Sequence, residues 1–171
     1  MMSNKVIYIM GVSGSGKTTI GELLAEKTGY AFYDADNFHS KENVEKMRAG
    51  HALTDEDRWP WLNNIHQFVQ QHLQTNSIIF ACSALKQVYR NVLSEGMNEQ
   101  CRWVLLSGDY ETIYQRLQQR SGHYMPPTLL HSQFDALEIP GNIIEVDIAK
   151  TPEEIVHEIM KKNLIPAIHA L

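Results

Sequence analysis

A glycine-rich segment near the start of the chain constrains the fold more than any other feature. Gly11 to Thr18 reads Gly-Val-Ser-Gly-Ser-Gly-Lys-Thr and directly follows the apolar run Val6 to Met10. It matches the pattern G-x-x-x-x-G-K-[ST], in which backbone N–H groups surround phosphate oxygens, the lysine reaches the β and γ phosphates, and the hydroxyl ligates Mg²⁺. Thr18 to Thr28 has helical periodicity, so a strand, a phosphate loop and a helix pointing its N-terminus at the anion are predicted. The predicted nucleotide ligands are Gly11, Val12, Ser13, Gly14, Ser15, Gly16, Lys17 and Thr18.

The rest of the chain alternates between strand-like and helix-like segments. Strands are predicted at residues 6–10, 30–33, 78–82, 103–106 and 143–146, and helical periodicity follows each of them. This alternation favours an α/β fold in which helices cover both faces of a five-stranded parallel sheet, with ligand groups at the carboxyl ends of the strands. We expect one domain over residues 1–171, with a helical segment at 37–75 and a lid region at 121–138.

Particular residues predict where some helices begin. Thr54 starts a capping-box sequence before a helix that runs to about His72, and Thr151 with Pro152 opens the last main helix in the same way. After the third strand, Ser83 is predicted to begin a helix with Leu85, Val88, Val92 and Leu93 on its apolar face, closed by Gly96.

Composition narrows the partners and the compartment. The formal net charge is −5, which argues against a broad nucleic-acid surface, because such a surface needs clustered Lys and Arg. No stretch approaches the ~20 apolar residues of a membrane span. The chain passes almost directly from Met1 into the first strand, and Cys82 and Cys101 have no disulfide or metal-site spacing. We therefore expect a cytoplasmic protein with reduced core thiols, and neither nucleic acid nor membrane as a partner.

Two carboxylates follow the second strand. Asp34 and Asp36 are two residues apart, so on an extended chain their side chains project to the same side, toward the phosphate loop. Phosphoryl transfer needs a group that orients or deprotonates the attacking hydroxyl and a metal that neutralises phosphate charge. We assign Asp36 to the hydroxyl and Asp34, directly or through water, to Mg²⁺. The two roles could be exchanged, and either residue could instead start a turn or cap a helix.

Several cations are candidates for binding anionic ligands. Arg116 and Arg120 share one face of the helix that enters the lid region, where they could stabilise the transferring phosphoryl group. Arg58 could bind a substrate carboxylate in a bidentate manner. Lys86 and Arg90 share a helical face near the end of the third strand. Each of these residues could instead belong to a solvated surface or, for Arg58, to a capped helix. His39 and His123 are further candidates for ligand contact.

Longer motifs point to a family. They include Asp34-Ala-Asp36 with His39, the segment Leu53 to Leu62 around Asp-Arg-Trp-Pro-Trp-Leu, Cys82-Ser-Ala-Leu-Lys86 with Tyr89-Arg90, and Arg116, Arg120, Gly122-His123-Tyr124 and Gln133-Phe134. With the phosphate loop, they resemble the gluconate kinases, small P-loop sugar-acid kinases with the three-layer α/β/α fold of the shikimate and nucleoside monophosphate kinases. The resemblance runs almost end to end.

The resemblance implies an activity and a set of ligands. A gluconate kinase phosphorylates the terminal hydroxyl of D-gluconate with ATP and Mg²⁺, yielding 6-phosphogluconate, and is usually a homodimer. The segment between strands two and three would hold the sugar acid, and the loop through Thr151 and Pro152 would border the adenine. Two alternatives stay open: a kinase of the same fold acting on shikimate or a nucleoside monophosphate, and a nucleotide-dependent regulatory or nucleic-acid-processing protein.

Overall fold

The computed structural model describes residues 3–120, 127–139 and 143–162. Its centre is a five-stranded, all-parallel sheet in the order β2-β3-β1-β4-β5. The strands are β1 Val6–Met10, β2 Ala31–Asp34, β3 Ile78–Ala81, β4 Cys101–Ser107 and β5 Ile144–Asp147. All five predicted strands are therefore confirmed. No predicted strand end differs from the observed one by more than two residues.

Helices connect successive strands. They are α1 Lys17–Thr28, α2 Lys41–Arg48, α3 Asp55–His72, α4 Gln87–Ser94, α5 Tyr110–Gln119, α6 Pro127–Ala136 and α7 Pro152–Lys162. Short 3₁₀ turns cover Ala35–Phe38 and Asn98–Gln100. None of the helices in the described ranges is long and apolar enough to cross a bilayer.

Burial on both faces of the sheet explains why the strands read as continuous apolar runs. Every residue of β1 is fully buried, and alternate side chains enter opposite cores. Tyr8 packs with Phe80 in the core under α3 and α4, whereas Ile7 and Ile9 pack in the core under α1, α5 and α7. The three-layer α/β/α arrangement predicted from the sequence is confirmed.

The segment between β2 and β3 is built on two capped helices. Ser40 accepts a hydrogen bond from the Asn43 N–H at the start of α2, and Thr54 forms a complete capping box with Asp57 at the start of α3. Lys46 of α2 lies 2.6 Å from Asp57, and with the Thr54 contacts it lowers the pKa of Asp57 to about 2. These contacts hold α2 against the beginning of α3, beside the carboxyl end of β2.

The helix predicted to begin at Ser83 begins four residues later. Ser83 to Lys86 form a turn in which Ala84 has a left-handed φ of 43°, and Lys86 is the N-cap of α4. Leu85 is buried as part of this turn, whereas Val88, predicted to face the core, is 46% exposed. The apolar spacing of Leu85 and Val88 resembled a helical face, but Leu85 reaches the core from irregular backbone.

Candidate active site

The phosphate loop connects β1 to α1 at the carboxyl edge of the sheet. Gly14 and Gly16 adopt left-handed φ values of 83° and 98°, which side chains other than glycine rarely tolerate. The Nζ of Lys17 donates to the carbonyl oxygens of Gly11 and Val12, both at 3.0 Å, so the lysine lies along the loop. The backbone and the lysine together form the anion cradle that the sequence predicts.

Charged groups of other elements surround the Lys17 ammonium. Burial lowers the pKa of Lys17, the charges of Asp36 and Asp34 oppose that shift, and Arg120 adds to it. Asp34, Asp36 and Arg120 thus act electrostatically on the ammonium. The three residues come from the end of β2, the following turn and the C-terminal cap of α5. The structure therefore brings together the lysine, carboxylates and arginine that the sequence selected for phosphoryl transfer.

Asp34 and Thr18 form an oxygen pair at the mouth of this site. The Thr18 hydroxyl donates to Asp34 Oδ2 at 2.9 Å, and the Asp36 N–H donates to Asp34 Oδ1 at 2.9 Å. Mg²⁺ in kinase sites takes one or two protein oxygens and completes its shell with phosphates and water. The described residues contain no cluster of three or more His, Cys, Asp or Glu that could hold a metal alone. The Thr18–Asp34 pair fits an ion of that kind.

A second charged cluster lies at the junction of α3 and α4. The hydroxyl of Tyr89 donates to Asp55 Oδ1 at 2.5 Å and accepts from Arg58 Nη1 at 3.0 Å. Lys86 Nζ also reaches Asp55 Oδ1, at 3.3 Å, and both Lys86 and Arg58 lie over the Tyr89 ring. Arg58 donates further to the Leu53 carbonyl at 2.6 Å. We call Asp55, Arg58, Lys86 and Tyr89 the acceptor cluster.

Hydrogen bonding sets the charge states in the acceptor cluster. The Tyr89 hydroxyl is the main cause that lowers the pKa of Asp55, with Lys86 next among the favourable contacts. The hydrogen bond to Asp55 raises the pKa of Lys86. Asp55 is therefore ionised and Lys86 protonated at neutral pH. With Arg58, the cluster holds two positive charges and one negative charge, a surplus suited to one carboxylate of a ligand.

His39 follows the 3₁₀ turn that carries Asp36 and packs against α3. Its ring stacks on Trp61 with 4.1 Å between centroids, and its Nδ1 lies 3.5 Å from the Asn43 amide. Burial, and next the charge of Arg58, lower the pKa of His39 to about 4. The Trp61 indole in turn donates to the Ala35 carbonyl, just before Asp36. His39 is thus neutral at physiological pH and lies within electrostatic range of Arg58.

Arg90 occupies a different environment from Lys86. Its side chain is 1% exposed, so the solvated-surface interpretation is wrong. Its Nη1 donates to the carbonyls of Ala84 and Leu85, and its Nη2 donates to the Glu138 carbonyl at 2.8 Å. These contacts hold the turn that carries Lys86. The prediction that Arg90 touches substrate stays a prediction.

Three further predicted ligands, Arg116, Thr151 and Pro152, lie around the loop after β5. Arg116 donates to the Ile148 carbonyl at 3.0 Å and so ties α5 to that loop. Thr151 forms the predicted capping interaction, accepting from the Glu154 N–H and donating to the Glu154 carboxylate, and Pro152 is the first residue of α7. His123 and most of the loop before α6 lie outside the described residues.

Three residues near the site were not selected from the sequence. Asp55 was one acid in a run of acids interpreted as a helix cap. Tyr89 was noted only as part of the motifs that resemble the gluconate kinases. Gln133 of α6 accepts from the Ser13 N–H at 2.7 Å and donates to the Ser13 hydroxyl at 3.2 Å. The one available signal for Tyr89 and Gln133 was their place in the longer motifs, because their partners are 34 and 120 positions away.

Comparison with known proteins identifies the family. The shikimate kinase family model matches residues 13–162. A probable gluconokinase of Mus musculus is 43% identical, over 91% of this chain and 96% of its own length. The chain belongs to the shikimate kinase family and, within it, to the gluconokinases. A gluconokinase of Arabidopsis thaliana is 42% identical over 94% of this chain and 93% of its own length.

A solved gluconokinase structure has the same fold as this chain. The crystal structure of a gluconokinase from Sinorhizobium meliloti 1021 superposes with a TM-score of 0.86 at 38% identity, covering 96% of this chain and 95% of that one. The fold of this gluconokinase-family member is thus the P-loop kinase fold, and the chain is a nucleotide-binding kinase.

Proposed function

We propose that this protein transfers the γ-phosphoryl group of ATP to the terminal hydroxyl of D-gluconate, giving 6-phospho-D-gluconate. The observation that carries the proposal is the acceptor cluster. Its surplus positive charge lies at the starts of α3 and α4, and the phosphate loop follows β1, the strand that neighbours β3. A mono-carboxylate sugar acid matches that charge, whereas a neutral sugar does not.

The residues divide the reaction between them. Arg58 and Lys86 bind the gluconate carboxylate, so the chain of hydroxyls extends toward Asp36. Asp36 orients the terminal hydroxyl and takes its proton as the oxygen bonds to the γ-phosphorus. The bond from that phosphorus to the β,γ-bridging oxygen breaks, and ADP leaves. Lys17 and Arg120 stabilise the charge that develops on the transferring group.

We propose Mg²⁺ as the metal, held by Thr18 and Asp34. A divalent cation at this position neutralises charge on the β and γ phosphates. The support is the 2.9 Å pairing of the two side chains at the exposed end of the loop. Titration of the activity with Mg²⁺ in the wild type and in Asp34→Asn tests the assignment, since the variant should need a higher Mg²⁺ concentration for half-maximal rate.

Further features of the proposal follow from the family. We propose that residues 37–75 bind the acceptor, that residues 121–138 act as a lid, and that His39 and His123 contact gluconate. We also propose a homodimer in the cytoplasm, where ATP is available, without nucleic-acid or membrane partners. The two cysteines support a reducing compartment, since both are free and buried. Sedimentation equilibrium would test the dimer, and a monomer over the working concentration range would reject it.

Measuring ADP release with a panel of acceptors tests the function. We expect turnover with D-gluconate and only background with shikimate, nucleoside monophosphates and glucose. The charge argument adds a matched pair, because D-glucitol has the same open chain as gluconate with a neutral CH₂OH group in place of the carboxylate, and it should also give only background. Turnover of another acceptor with none for gluconate would reject the assignment. Polynucleotide binding with a steep salt dependence and no kinase activity would favour the regulatory alternative.

A further inference from the structure

Helix α6 is hydrogen-bonded to the phosphate loop through the side chain of Gln133. The Gln133 carboxamide makes two hydrogen bonds to one residue: its oxygen accepts from the Ser13 N–H at 2.7 Å, and its nitrogen donates to the Ser13 hydroxyl at 3.2 Å. Gln133 is half-buried and lies 120 positions from Ser13 in the sequence. A two-point contact fixes both the position and the orientation of the amide, which a single contact does not.

The contact restrains one peptide of the loop, the one between Val12 and Ser13. The Val12 carbonyl, on the same peptide as the Ser13 N–H, already accepts from the Ser15 N–H and from Lys17 Nζ. Both sides of the Val12–Ser13 peptide are therefore held, one by the loop itself and the other by α6. A phosphate loop binds through backbone N–H groups whose directions must be set before the anion arrives, so a tether at this peptide affects nucleotide affinity.

Just beyond the C-terminal end of α6, Glu138 is fixed to the turn that carries Lys86. Glu138 donates its N–H to the Leu85 carbonyl at 2.8 Å, its own carbonyl accepts from Arg90, and its carboxylate accepts from the Gln87 N–H at 3.0 Å. The Leu137 N–H bonds to the Gln133 carbonyl, so helical backbone links the two contact points. One short segment thus touches the loop on the nucleotide side and the turn on the acceptor side.

We propose that Gln133 is a positioning residue of the nucleotide site and that the segment 133–138 couples this site to the acceptor cluster. Gln133 holds the Val12–Ser13 peptide, and the segment transmits a displacement of the phosphate loop to the turn at 83–86. The coupling to gluconate rests on the proposed function, whereas the effect on nucleotide binding does not.

The variant Gln133→Met tests the nucleotide half, because it keeps the side-chain length and removes both hydrogen bonds. We expect the Kd for a non-hydrolysable ATP analogue to rise about five- to tenfold, the lower part of the roughly 5- to 150-fold that two neutral hydrogen bonds contribute. Hydrogen exchange at the Ser13 amide should accelerate. Gln133→Glu keeps an oxygen for that amide and should restore its protection, while its charge keeps the analogue weakly bound. Asp135→Asn, exposed on the same helix, is the matched control.

Outcomes separate the two halves. Unchanged Ser13 exchange or an unchanged analogue Kd in Gln133→Met would overturn the positioning role, provided that urea unfolding shows the variant fully folded in the assay. For the coupling, we expect saturating gluconate to tighten analogue binding in the wild type and to do so at least threefold less in the variant. Equal tightening in both proteins would overturn the coupling. Failure of gluconate to bind the wild type would instead reject the proposed function.

Discussion

Replacing Tyr89 by phenylalanine removes one oxygen from the acceptor cluster and leaves its packing in place. The Tyr89 ring packs edge-on against Trp59 with 6.0 Å between centroids, and the cations of Arg58 and Lys86 lie over the ring. Phenylalanine retains all three ring contacts. The lost hydroxyl bonds both Arg58 and Asp55. The substitution therefore tests hydrogen bonding within the cluster and not its packing.

The magnitude follows from the hydrogen bond to Arg58. A hydrogen bond to a charged group contributes about 1.5–3 kcal/mol, and the partly exposed guanidinium places this one at about 1.5 kcal/mol. Without the hydroxyl, Asp55, whose carboxylate is 4.0 Å from Arg58, becomes free to pair with it and to compete with the gluconate carboxylate. A loss of about 1.5 kcal/mol in acceptor binding corresponds to about a tenfold rise in KM for gluconate.

Steady-state kinetics with a coupled ADP assay measures the effect. We expect the KM for gluconate to rise about tenfold in Tyr89→Phe, with kcat and the KM for ATP within about twofold of wild type. Tyr30→Phe, which removes a hydroxyl just before β2 at the opposite edge of the sheet, should leave all three unchanged. Arg58→Ala should raise the KM for gluconate further, and its effect should shrink in the Tyr89→Phe background.

Two results would refute this reasoning. If Tyr89→Phe leaves the KM for gluconate unchanged while Arg58→Ala raises it, the tyrosine does not organise the arginine. If either substitution selectively raises the KM for ATP, the cluster belongs to the nucleotide side and the assignment of its cations is wrong.

Other predictions concern the transfer site and its pH dependence. Lys17→Ala should lower kcat by about 10²-fold or more because it removes a charge that stabilises the transferring phosphoryl group, and an unchanged kcat would exclude that role. Asp36→Asn should lower kcat by about 10²–10⁴-fold with little change in either KM, since an amide cannot take the hydroxyl proton. If Asp34→Asn lowered kcat by that factor and Asp36→Asn did not, the two roles would be exchanged. The pKa of His39 is lowered on folding from 6.5 to about 4, so its contribution to stability is complete above pH 6.5 and declines as pH falls toward 4. Halved for solvent screening, the loss between pH 7 and pH 5 is about 1 kcal/mol, and urea unfolding of His39→Gln should lack it.

Local patterns in the sequence were sufficient for the phosphate loop and the strands. The loop is one continuous segment whose residue types follow from phosphate geometry, and a strand buried on both faces has an apolar run whatever its neighbours are. The order of the strands in the sheet was not available from those patterns. Asp34 and Asp36 were identifiable because they lie at the carboxyl end of a strand, the edge at which a parallel sheet collects its ligands. The sequence did not show that β3 separates this strand from β1 and its loop.

The residues that sequence reasoning missed depend on distant partners. Asp55 and Asp57 belong to the same acidic run, yet Asp57 bonds Lys46 and closes the helix cap, whereas Asp55 turns toward Tyr89 on another helix. Arg90 had the pattern of a surface cation because its carbonyl partners in the turn and at Glu138 exist only in the folded chain. Helical periodicity could not show that the turn at Ser83 to Lys86 delays the start of α4.

The Asp55 carboxylate keeps the two cations of the acceptor cluster close together. Arg58 and Lys86 lie over the same Tyr89 ring, and without a nearby anion their mutual repulsion would drive the two flexible side chains apart. Asp55 accepts from Lys86 and lies 4.0 Å from Arg58, so it holds both cations near one point and reduces the ordering that the acceptor must impose. It also leaves one positive charge unmatched. An acceptor with a single carboxylate completes the charge balance, a neutral sugar leaves it open, and a second carboxylate would meet Asp55. On the proposed function, Asp55, Arg58 and Lys86 therefore set both the affinity for a sugar acid and the discrimination against its uncharged and doubly charged relatives.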